Sequence, residues 1–313
     1  MRILVWVAAA CLALPAVASA QTSSTATDAP APDLRDVAYG PHARNVLDLW
    51  KAPSRRPTPL VIYIHGGGFQ QGDKKDVSGV LVQRALRAGF SVASLNYRLS
   101  NVAPFPAPMM DGVRAIQFLR SRAAEWNLDS ARFASCGESA GAGISLWAGF
   151  HDDLAQGGSP DPVERQSSRL ACVGSTNGQT SYDPRFVRAH IGGNDISHSA
   201  LPPFYGLPRE EFDSPKAHRL FEAASPINYL TADDPPAFLF YGDAPPVPLP
   251  EGAPQGLVIH HAQFGVVLKQ KMQALGIRSE VRTGMYEKGA REARWNQAYA
   301  EMVDLFGECF ARR

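Results

Sequence analysis

Two glycine-rich segments hold residues able to carry acyl transfer. Gly137-Glu138-Ser139-Ala140-Gly141 places a serine between two glycines, with a strand-like run before it and a helix-like run after it. A strand-to-helix turn this sharp leaves no room for flanking side chains and presents the serine hydroxyl at the sheet edge in a strained conformation. The helix N-terminus behind such a serine favours negative charge. The second segment is His65-Gly66-Gly67-Gly68-Phe69, 74 positions before Ser139. Consecutive glycines free their backbone N–H groups to face a developing oxyanion, where acyl transfer obtains much of its stabilisation. Plainer readings are a glycine-rich connection for the first segment and a flexible turn or phosphate loop for the second. No Gly-Lys-Ser/Thr continuation follows Gly68, which argues against a nucleotide loop.

Together and in this order the two segments resemble the α/β-hydrolase superfamily, specifically its hormone-sensitive-lipase-like and feruloyl-esterase-like carboxylesterases. Leu47-Asp48-Leu49-Trp50, Asn96-Tyr97-Arg98-Leu99, Phe105-Pro106 ahead of Asp111, and Ser225-Pro226 ahead of Pro235-Pro236 add to the likeness, which spans residues 34 to 310. The resemblance implies a serine hydrolase. Ser139 would attack an ester carbonyl, the amides of Gly67, Gly68 and Ala140 would hold the oxyanion, and a histidine and an acid would complete a triad.

The last two triad positions depart from that pattern. In such enzymes the acid follows the strand read here at 236–243, and this chain continues Tyr241-Gly242-Asp243-Ala244-Pro245. Proline stands where the acid is expected, with Asp243 two positions early. The histidine normally follows the last strand, where Tyr286-Glu287-Lys288-Gly289-Ala290-Arg291 supplies an arginine. Arginine stays protonated and cannot act as a general base near neutral pH. No histidine follows His261. The substitutes are His260 and His261, which open a helix after Asp243 and so lie near the sheet edge that carries Ser139. Their plainer roles are a helix cap and a solvated side chain. His190, His198 and His218 belong to a region read as a lid and have a weaker claim. His151 sits late in the helix after the nucleophile, His65 holds the oxyanion loop, and His42 has no evident role. The acid is Asp243 or Asp183, whose plainer role is a turn ahead of Pro184.

The elements that must position these residues alternate along the chain. Strands are read at 46–50, 59–68, 90–99, 132–139, 169–178, 236–243 and 278–286, and helices at 78–89, 109–126, 140–155, 259–276 and from 291. This recurrence predicts an α/β fold with a mostly parallel, doubly wound sheet, helices on both faces and an inserted lid over residues 180–235.

Composition bounds the partners. With 45% hydrophobic and 19% charged residues, the 313-residue chain can bury a large core and is not generally disordered. Its net charge is +1, and loss of Arg2 would bring it to zero, which argues against nucleic acid or an anionic membrane as the main partner. Arg2, the apolar run Ile3–Val17 and Ala18-Ser19-Ala20 read as a signal peptide cleaved after Ala20, which implies a secreted or periplasmic protein with no integral membrane segment in the mature chain. Residues 21–33 read as a disordered leader, and 34–313 as the folded domain. Cys136, Cys172 and Cys309 remain, so at most one pair forms; buried free thiols are expected, with Cys136 and Cys172 as the plausible neighbours. No Cys/His cluster has metal-site spacing, and no cofactor is expected. The leading expectation is a secreted esterase for a small-molecule or carbohydrate-linked ester. Pro245 and Arg291 also fit a catalytically impaired relative kept as a binding module, and a lipase or peptidase of the same fold is a third reading.

Overall fold

Eight strands alternate with ten α-helices among the described residues, which are 28–193, 198–242, 244–284 and 291–312 of this computed structural model, Arg291 by its backbone alone. β1 (Leu34–Ala38), β2 (Val46–Trp50), β3 (Thr58–Ile64), α1 (Gly79–Arg87) and β4 (Ser91–Leu95) come first. α2 (Ala107–Ser121), α3 (Ala123–Trp126), β5 (Leu128–Glu138), α4 (Ala140–Phe150) and β6 (Cys172–Thr176) follow. Three short helices, α5 (Pro184–His190), α6 (Leu201–Tyr205) and α7 (Pro215–Ala224), precede β7 (Ala237–Tyr241). α8 (Gln255–Ile259), α9 (Gln263–Ala274), β8 (Ser279–Thr283) and α10 (Arg291–Ala311) complete the chain.

The strands form one sheet in the order β1-β2-β4-β3-β5-β6-β7-β8. β2 pairs antiparallel with both β1 and β4, and every pairing from β4 through β3 to β8 is parallel. β3 is buried along its whole length, as its continuous apolar run requires when helices cover both faces. One face packs on α1 and α10 through Leu81, Val82, Met302 and Phe306. The other packs on α2, α4 and α9 through Met109, Ile116, Ile144, Leu268 and Met272. Every residue of α4 is buried, so the helix behind Ser139 lies in the middle of the molecule. Among the described residues no helix is long and apolar enough to cross a membrane.

Four expectations are corrected. The helix read at 259–276 is two helices, broken at His260–Ala262. That read at 140–155 stops at Phe150, and that read at 109–126 breaks at Arg122. β1 has no counterpart among the strands read from the sequence, because Leu-Arg-Asp-Val-Ala is a short edge strand whose register shifts between Leu34 and Val37. The cysteines differ too: Cys172 on β6 is bonded to Cys309 on α10, and Cys136 is the buried free thiol, pushed up to about 12 by burial. Cys136 lies opposite Gly174 in the β5–β6 register, so the two strand cysteines are offset. Residues 1–27, which hold the expected signal peptide and most of the leader, lie outside the described residues, as does Asp243.

Candidate active site

Ser139 stands between β5 and α4 with φ 49° and ψ −114°, a conformation that side-chain-bearing residues rarely adopt. Its N–H donates to the Thr176 carbonyl on β6 at 2.9 Å, and its carbonyl accepts from Gly143 at 3.0 Å. The flanking glycines answer to close approach: a Cβ on Gly141 would lie 2.0 Å from the Ile64 carbonyl oxygen, and one on Gly137 would lie 2.5 Å from the same atom. β3 therefore runs against the turn, and only hydrogen fits.

The Ser139 hydroxyl meets His260 Nε2 at 3.0 Å. His260 is the residue at which the helix breaks, with φ −116° and ψ 18° after the last turn of α8. Three contacts hold the break. Gln179 Nε2, in the loop after β6, donates to the Ile259 carbonyl at 2.7 Å, and Thr180 Oγ1 donates to the Phe264 carbonyl at 2.9 Å. His261 supplies the third: Nδ1 accepts from Gln263 N–H at 3.0 Å, so Nε2 carries the proton and donates to the Pro245 carbonyl at 2.9 Å. His261 thus caps α9 and ties it to the loop after β7, while its neighbour reaches the serine. Burial pushes the His260 imidazole down to about 4, leaving it neutral and able to accept a proton.

The glycine loop lines the same cleft as His260. Gly67 and Gly68 have φ 98° and 61°, and a Cβ on Gly67 would lie 2.3 Å from the Gln71 carbonyl oxygen. The Gly67 carbonyl accepts from Gln70 and Gln71 N–H. The segment returning from the loop is anchored by Lys74, whose buried ammonium bridges Asp48 at 2.7 Å and Asp36 at 2.8 Å. Ser139, Ala140, Gly66, Gly67, Gly68 and His260 all line one cleft of about 730 Å³. Its walls mix apolar surface with Gln70, Gln71, Asp76, Glu138 and Gln179.

The other candidates separate clearly. Asp183 N-caps α5, accepting from Arg185 N–H at 2.8 Å, and its carboxylate is forked onto the Arg185 guanidinium at 2.6–2.9 Å. Its turn role is the one observed, and its carboxylate is engaged by Arg185. His198 does reach the cleft, beside His260, with Nδ1 accepting from Ala200 N–H at 3.2 Å and burial pushing it down to about 4. His151 is wedged between Trp147 and Tyr229. His190 packs on Phe186, and His218 on Phe221. His42 accepts from Arg44 N–H. His65 is buried behind the glycine loop. Pro245 contributes its carbonyl alone, and the loop before Arg291, residues 285–290, lies outside the described residues. Arg44 and Gln179 support the site without a signal in the sequence, since each acts through contacts with residues distant along the chain.

The sheet order, the strained serine between β5 and α4, and the glycine loop after β3 define the α/β-hydrolase fold, which this chain shares with its structural neighbours. Residues 47–184 match the family model BD-FAE, a span that holds both glycine-rich segments and stops before His260. The chain is similar to esterase LipQ of Mycobacterium tuberculosis, 28% identical over 68% of this chain and 49% of LipQ. It is also similar to the probable carboxylic ester hydrolase LipM of the same organism, 27% identical over 66% of this chain and 47% of that one. The chain thus spans about half the length of these curated relatives. Among solved structures it superposes on a truncated carbohydrate esterase from gut microbiota with TM-score 0.69 and 25% identity, covering 89% of this chain and 96% of that one. A bacterial heroin esterase shares the fold at TM-score 0.64 and 20% identity, over 87% of this chain and 82% of the other.

Proposed function

We propose that this protein is a serine carboxylic ester hydrolase. The observation that carries the reading is the 3.0 Å contact between Ser139 Oγ and His260 Nε2, in a cleft that the glycine loop also lines. Ser139 Oγ attacks the ester carbonyl carbon as His260 Nε2 takes its proton. Negative charge then collects on the former carbonyl oxygen, which the amides of Gly67, Gly68 and Ala140, all lining the same cleft, would stabilise. His260 gives the proton to the departing alkoxide as the tetrahedral centre collapses to an acyl-serine. A water, deprotonated by the same imidazole, attacks that acyl group, and the second collapse returns Ser139 and a carboxylic acid.

Asp243 is the acid this reading assigns. Two residues beyond it, the Pro245 carbonyl is tied to His261, so the loop after β7 is held against the segment that carries His260. A carboxylate there would stabilise the imidazolium that each half-reaction forms. The substrate is a small or carbohydrate-linked ester, in keeping with the polar side chains of the cleft. Residues 1–20 are read as a secretion signal; N-terminal sequencing of the exported protein beginning at Gln21 tests this.

The test of the catalytic reading is labelling by a fluorophosphonate, which needs an activated serine. The wild type is expected to label, with labelling lost in Ser139→Ala and in His260→Ala. A folded wild type that neither labels nor hydrolyses short-chain esters overturns the reading and leaves a binding module.

A further inference from the structure

Behind the glycine loop lies a guanidinium that the catalytic reading does not use. Arg44 Nε donates to the Tyr97 carbonyl at 2.8 Å, and Nη2 donates to the Gly72 carbonyl at 2.8 Å. The same Nη2 lies 3.1 Å from His65 Nε2. A guanidinium has donors only, so His65 Nε2 must be the acceptor and the ring proton sits on Nδ1. His65 Nδ1 lies 2.8 Å from the Gly66 carbonyl oxygen, which accepts that proton. The ring has no freedom to turn. It is stacked on Tyr97 with centroids 4.4 Å apart, and a Cβ on Gly72 would lie 2.4 Å from His65 Nδ1. The Tyr97 hydroxyl donates to the His65 carbonyl at 3.1 Å, with the Gly66 carbonyl 3.3 Å away. Burial, with a smaller contribution from the Arg44 charge, pushes His65 down to about 4 and keeps it neutral.

The tautomer decides which way the next amide faces. In a trans peptide the C=O and the following N–H point in opposite directions. A Gly66 carbonyl drawn back onto His65 therefore turns the Gly67 N–H forward, to the cleft side. The opposite tautomer would set the Nδ1 lone pair against the carbonyl oxygen and free that peptide to flip. We infer that Arg44 is a positioning residue of the oxyanion loop, fixing the His65 tautomer that holds the Gly67 N–H toward the cleft. Its effect on rate rests on the esterase reading; the tautomer does not.

Two measurements test it. Histidine-selective ¹⁵N NMR of the wild-type protein, with His65→Gln assigning the signal, is expected to show His65 protonated at Nδ1 and accepting at Nε2. The reverse tautomer overturns the inference, whether or not the protein is an esterase. In ester hydrolysis, Arg44→Ala is expected to lower kcat by roughly 10- to 100-fold, under the roughly 10²–10³ typical of a lost oxyanion donor. KM should stay within about threefold, because the amide acts on the transition state. Arg44→Lys, which restores one donor to Nε2, recovers part of the loss. A folded Arg44→Ala with unchanged kcat, or a loss confined to KM, overturns the inference. If Arg44→Ala does not fold, Arg44→Lys and the wild-type spectrum decide. An inactive, unlabelled wild type removes the esterase reading alone.

Discussion

The two halves of the cleft are built on different terms. On the β3–β5 side, the nucleophile and the glycine loop sit in the positions that their motifs announce, within the span 47–184 that matches a known family. On the β7–β8 side, proline and arginine occupy the expected acid and histidine positions, and the imidazole arrives from a break between α8 and α9. The difference shows which demands are rigid. The elbow needs a positive φ at Ser139 and hydrogens where β3 presses on Gly137 and Gly141, so few sequences satisfy it. A general base needs only to bring one nitrogen to hydrogen-bond distance, and several places along the sheet edge can do that.

Damage to the first half should be the most severe. Ser139→Ala is expected to lower ester hydrolysis by at least about 10⁴-fold with the fold intact; residual activity within tenfold of wild type would place the chemistry elsewhere. Gly141→Ala forces a methyl group onto the Ile64 carbonyl. It should abolish fluorophosphonate labelling and lower thermal stability by more than about 2 kcal/mol, the scale of severe overpacking. An unchanged melting temperature would contradict the close approach on which the rigid side depends.

The second half should separate two adjacent histidines. His260→Ala is expected to cost roughly 10³-fold or more in kcat, as loss of a general base does when it acts with its nucleophile. His261→Ala should cost about 1 kcal/mol of stability through the lost α9 cap, with a far smaller fall in rate. Comparable rate losses in both would mean that the break acts as one unit.

The smallest effect expected is on the pH profile. Burial lowers His260 to about 4, and the neutral ring is the form that accepts a proton. The rate, measured as kcat/KM, should therefore hold well below pH 6.5 and fall only as His260 is protonated. An acid limb at or above 6.5 would reveal a carboxylate whose attraction for the imidazolium outweighs burial. Stability should follow the same sign. His65, His198 and His260 are all lowered to about 4, so the unfolded chain binds more protons between pH 6.5 and 4. Calorimetry should find the melting temperature falling across that window as pH drops.

The order of residues alone carried the parallel sheet, the elbow, the glycine loop and the short list of histidines. Those features are local: strand and helix periodicity, glycine at a turn and the run His65-Gly66-Gly67-Gly68 each depend on neighbours along the chain. The chain folding back on itself decided the rest. It chose His260 over His261, because Gln179 and Thr180 hold the helix break and the cap on α9 occupies the second ring. It joined Cys172 to Cys309 across 137 positions, whereas Asp183 was taken out of contention locally, by Arg185 two residues on. It also set Arg44 behind His65. Such contacts depend on distances between segments far apart in sequence, and those distances exist only once β3, β5 and β6 lie side by side with the α8–α9 junction over their ends.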